Sequence, residues 1–133
     1  MALDRMAGII RFAALLELGV GILLLIDPVL VVTLLLGTPT DGTAAVVGRW
    51  CGVALLTIAA AWCPARAPAA VSLQIFYSAL IYNTLMALLL ASISIVRHLG
   101  GVLLWPAAAL HALITVLLIL AWQAQSRTKA TGS

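Results

Sequence analysis

"FAALLELGVGILLLIDP", residues 12–28, is apolar nearly throughout yet carries a carboxylate, Glu17, close to its middle. With the residues before it, the stretch forms an apolar run over about 6–26, near the roughly 20 residues that a helix needs to cross a bilayer. Asp27-Pro28 closes it, because the residue before a proline is pushed out of helical geometry. Arg5 and Arg11 precede the run, as in a secretory signal, but no small-x-small cleavage site follows it and Glu17 lies inside it. A retained helix is expected.

Outward from this stretch the pattern repeats. Further apolar runs cover about 44–62, 71–96 and 102–122. Of the 133 residues 65% are hydrophobic and 8% charged, against about 25% charged in a soluble domain. The expected fold class is therefore an all-α membrane protein: an antiparallel up-down-up-down bundle of four transmembrane helices over residues 1–126, with a polar cytoplasmic tail at 127–133.

The connections are short. Val29 to Leu36 is too short to cross and too apolar to float free, so a short interfacial helix is expected over 29–36, then a polar turn at "GTPTDG". "CPARAPAA" reads as a stiff loop, and the paired glycines of "RHLGG" end the third helix. Pro106 falls in the first turn of the fourth, where its missing N–H is harmless. Trp50, Trp62, Trp105 and Trp122 read as an interfacial aromatic belt near the span ends.

The net charge of +3 does not point to nucleic acid, since the seven cations are spread along the chain without a basic cluster. They report orientation instead. Arg5, Arg11, Arg66, Arg127 and Lys129 share one side; Arg49 and Arg97 fall on the other with Asp27 and Asp41. The positive-inside rule places both termini in the cytoplasm. Cys51 and Cys63 lie on one expected helix, roughly 18 Å apart, too far to bond.

Counting from the middle of each span puts Glu17, Tyr82, Asn83 and His111 at one depth, with Arg49 roughly 6 Å outward. Each helix contributes a polar group to one layer. Small residues flank these groups at i±4: Ala13 and Gly21 about Glu17, Ala79 and Ala87 about Asn83, Ala107 and Thr115 about His111. Ala44, Gly48 and Gly52 form a small stripe beside Arg49. Small-flanked faces are the ones that pack in membranes, so the polar groups are expected to face inward. A charged side chain at the centre of a span costs about 2.5–3.5 kcal/mol on insertion scales. Glu17 lowers that cost by taking up a proton, pairing with Arg49, or hydrogen bonding His111, Tyr82 or Asn83. The expected arrangement is a Glu17–Arg49 pair completed by His111 and Asn83, with Arg11 snorkelling to the headgroups. These five residues, Glu17, Arg49, Tyr82, Asn83 and His111, are the candidates for a ligand or proton site.

In its "RFAALLELGVGILLL", "DP", "LLLG", "GRWCGVALL", "IYNTLMALLL" and "LLWPAAALHALI" segments the chain resembles the small four-helix bacterial inner-membrane proteins of the DoxX-like group. The resemblance implies a four-helix fold and, for some members, an accessory role beside quinone-linked oxidases. It brings no agreed catalytic residues.

Two functions fit these residues. One is a non-catalytic accessory subunit or binder, whose polar layer holds a small amphipathic molecule, quinone or lipid-like, or organises a larger membrane complex. The alternative is a proton-linked transporter or channel subunit relaying protons through Glu17 and His111, as a homo-oligomer because four short helices enclose little volume. An enzyme is not expected: the sequence has no Ser-His or paired-carboxylate constellation, metal-ligand spacing or nucleotide loop.

Overall fold

The computed structural model describes residues 2–39, 41–63 and 71–131, which form five α-helices and no strand. Helix α1 (Ala2–Ile26) is followed by α2 (Pro28–Leu36), α3 (Gly42–Trp62), α4 (Leu73–Arg97) and α5 (Leu104–Thr131). All but α2 are long and apolar enough to cross a membrane.

Asp27 serves two helices. Its N–H closes the last turn of α1 on the Leu23 carbonyl at 2.8 Å, and its carboxylate accepts from Leu30 N–H at 3.0 Å as the N-cap of α2. Pro28 follows in the first turn of α2, where no hydrogen bond is lost. Asp41 and Ser72 cap α3 and α4 in the same way, accepting from Ala44 and Ile75 N–H.

Helix α2 covers the short helix expected at 29–36, and its far end is held by another part of the chain. Gly37, at φ 72°, ends it in the left-handed conformation that favours glycine. The carbonyls of Leu34, Leu35 and Leu36 then accept from the N–H groups of Leu103, Gly101 and Gly100 at 2.9, 2.8 and 3.1 Å. The link between α4 and α5 thus satisfies the orphan acceptors of α2. A Cβ on Gly101 would run into the Leu34 carbonyl, so this approach needs glycine.

Helix α1 packs along α3, α4 along α5, and α1 also touches α5, whereas α3 and α4 meet only lightly. The main core joins Met6, Ile10 and Ala13 of α1 to Trp62, Phe76, Ile114 and Leu118. Large apolar side chains cover the outside, Leu15 at 67% and Leu88 at 62% exposure among them. A chain folded in water would be left with a continuous apolar patch; hydrocarbon solvates such a surface.

Two details depart from the sequence reading. The polar segment expected to leave the bundle at residue 127 continues α5 as helix to Thr131. The tryptophans are not one belt: Trp50 sits near the centre of α3 and is exposed, while Trp62 is buried in the core and Trp122 stacks on Phe76 at 4.7 Å. Arg66 and the rest of the 64–70 loop, and the Lys129 side chain, lie outside the described residues.

The α1–α3 seam is closed by glycine. A Cβ on Gly52 would stand 2.9 Å from the Gly21 carbonyl, and one on Gly48 would stand 2.9 Å from Pro28 Cβ. Backbones approach this closely only where side chains are missing. Gly52→Ala is therefore expected to destabilise the detergent-solubilised protein by about 1–3 kcal/mol. Gly19→Ala, which meets open space, should leave the thermal midpoint nearly unchanged. Equal midpoints for both variants would refute the close seam.

Candidate functional site

The buried stripe of α1 runs through Ile10, Ala13, Glu17, Gly21 and Leu24, spaced three and four apart, so the helix period itself turns Glu17 inward. Glu17 is 4% exposed and Asn83 fully buried. Asn83 belongs to the inward stripe of α4 with Phe76, Ala79 and Leu90. On α5, Leu104, Ala108, Ile114 and Leu118 are buried, and His111 lies half-buried on the same side.

Two hydrogen-bonded pairs result. The Tyr82 hydroxyl donates to Glu17 Oε2 at 2.9 Å, joining α4 to α1. His111 Nδ1 and Asn83 Oδ1 are 2.9 Å apart, joining α5 to α4. Asn83 Nδ2 donates to the Ala79 carbonyl at 2.8 Å, which fixes Oδ1 as the acceptor facing the imidazole. His111 Nδ1 is then the donor, and in the neutral ring Nε2 is left as an acceptor. The Tyr82 ring meets the His111 ring edge-on at 5.8 Å, so the pairs adjoin without a hydrogen bond between them.

Arg49 does not join this group. The expected Glu17–Arg49 pair is not formed: Arg49 is exposed, and its Nε donates to the Leu25 carbonyl at 3.4 Å. A count from the middle of each span put Arg49 near the depth of Glu17, but it stands at the level of Leu25, eight residues and roughly 12 Å along α1 from Glu17. Gly48 and Gly52 face α1, and Arg49, about 100° on from Gly48, stands exposed at the edge of that seam. Its guanidinium instead serves one of the last carbonyls of α1, where a cation is favoured by the helix dipole. Arg11 is exposed beside α3, compatible with the snorkelling read from sequence.

Trp62 and Ser78 were not singled out from sequence as members of the site. Trp62 lies edge-on to the Tyr82 ring at 5.5 Å and donates from Nε1 to Ser78 Oγ at 3.0 Å. Ser78 in turn donates to the Ile75 carbonyl at 2.9 Å. The available signal was Ser78 itself, four residues before Tyr82 and so on the same face.

Both pairs keep bonding capacity. Among the described residues no hydrogen bond reaches Glu17 Oε1 or His111 Nε2. No cluster of three or more His, Cys, Asp or Glu suited to a metal occurs among them, and Cys51 and Cys63 are free thiols.

Fold and site together define a multi-pass helical membrane protein whose spans share a buried polar cluster. No family model, curated protein or solved structure matches the chain.

The two arrangements separate cleanly in double-mutant cycles read by thermal unfolding. Glu17→Gln and Tyr82→Phe are expected to be non-additive by about 0.5–1.5 kcal/mol, the range of interhelical hydrogen bonds in membranes. Glu17→Gln and Arg49→Gln should add within about 0.5 kcal/mol. The reverse ranking would restore the carboxylate–guanidinium pair.

Proposed function

We propose that this chain is a non-catalytic accessory protein of the bacterial inner membrane that binds a small amphipathic molecule at the Glu17–Tyr82–Asn83–His111 cluster. In this reading its four spans alternate in direction with both termini cytoplasmic, an orientation supported by the excess of Arg and Lys in the terminal segments and the second loop. The resemblance to the DoxX-like group favours the same setting.

One observation carries the proposal: two adjoining part-buried pairs each keep an acceptor that no described residue bonds, Glu17 Oε1 and His111 Nε2. Polar groups within a membrane find partners or cost free energy. Two acceptors beside aromatic rings suit a ligand with hydroxyl donors on a flat apolar body, which describes a quinol, the reduced form of a quinone, or a lipid-like phenol. Aromatic partners stand ready, with Tyr82 between Trp62 and His111. The proton-relay alternative has less support, because only a ring contact, with no hydrogen bond, links the carboxylate pair to the imidazole pair among the described residues.

The test is titration of the purified full chain with a short-chain quinol, followed by tryptophan fluorescence, since Trp62 adjoins the site. Saturable binding is expected, weakened about tenfold or more in Glu17→Gln and in His111→Phe, as loss of a hydrogen bond to a charged or buried acceptor implies. Affinity unchanged in both variants, or no saturable binding to the folded wild type, would overturn the reading.

A further inference from the structure

A cleft of about 380 Å³ opens on the outer surface between α1 and α3, away from the polar cluster. Its floor is made by Ala14, Ala59 and Ala60, whose short side chains leave a gap between taller neighbours. Leu15, Leu18 and Leu56 form its walls. Arg11 and Cys63 stand at one end, and Cys63 directly follows the last residue of α3, so that end lies at the boundary of the span. Leu18 and Leu56, seven residues along their helices from Arg11 and Cys63, lie roughly 10 Å deeper.

We infer that this cleft holds one acyl chain of an anionic phospholipid from the leaflet on the N-terminal side, with its phosphate at Arg11. The inference does not depend on the quinol reading and concerns different side chains. Polarity and depth agree along the whole cleft. Arg11 stands at the end of the cleft that holds Cys63, and an apolar trough runs inward from it, the order of groups in a phospholipid. Arginine suits phosphate because its planar fork of N–H donors matches the phosphate oxygens, and its aliphatic stem covers apolar surface on the way out. The alanine floor distinguishes the cleft from the leucine-covered surface elsewhere: a chain lying in it contacts protein on three sides and exchanges with bulk lipid more slowly.

Native mass spectrometry of the full chain in mild detergent tests this, with phosphatidylglycerol and phosphatidylcholine of matched chains as probes. One retained lipid is expected, phosphatidylglycerol favoured by about fivefold, the contribution of one basic side chain facing an anionic headgroup. Arg11→Gln should abolish that preference while a lipid is still retained. Ala60→Leu, at an exposed position, should fill the trough and remove the retained lipid. Equal retention of both headgroups by the wild type, or an unselective ladder of several lipids, would overturn the inference by assigning the adducts to the annulus. So would a dimer peak lost in Ala60→Leu, which would assign the cleft to a second copy. Should Ala60→Leu not fold, the headgroup ratio in Arg11→Gln decides alone: a ratio equal to wild type overturns the inference.

Discussion

Hydrocarbon offers a carboxylate no hydrogen bonds, so Glu17 has to be satisfied by protein, and the Tyr82 phenol supplies the bond. That single requirement sets the rotation of α1, whose inward stripe must include Glu17, and it draws α4 toward a helix that it otherwise barely touches. The imidazole of His111 poses the same problem on α5 and is answered by Asn83, from the turn of α4 that also carries Tyr82. Adjacent residues of one helix thus bind two different neighbours. Apolar packing alone fixes orientation weakly in lipid, where a leucine turned outward loses little; the two polar pairs supply the direction that packing does not.

The hydroxyls of the bundle follow the same rule more cheaply. Thr57, Thr84 and Thr115 each donate to the carbonyl four residues earlier on their own helix. They are satisfied locally and demand nothing of their neighbours. Glu17 and His111 lack this local solution, which is why they, and not the more numerous hydroxyls, mark the site.

Much of this was legible in the sequence. Span number and approximate limits follow from apolar length, and the inward direction of Glu17 and Asn83 follows from the small residues at i±4. The end of α5 did not, because Gln123, Gln125, Arg127 and Lys129 are good helix formers that carry no apolar signal. The partner of Glu17 was misassigned to Arg49 because a count from span midpoints leaves the register of α1 against α3 open, and the glycine seam sets it by bringing Gly52 to Gly21 and Gly48 to Pro28. Trp62 was misread because position near a helix end suggested an interfacial anchor, but its ring is buried and Ser78 of α4 offers its indole N–H a partner.

The fastening of α2 bears on how such a chain is made. Its terminal carbonyls wait for donors that lie more than sixty residues downstream, at Gly100, Gly101 and Leu103. During synthesis, α1, α2 and α3 emerge long before those donors exist, so water must hold the three acceptors in the interim. Arrival of the link before α5 displaces that water and joins the early half of the chain to the late half. Completion of the bundle is in this sense recorded at a small helix on its rim rather than at its centre.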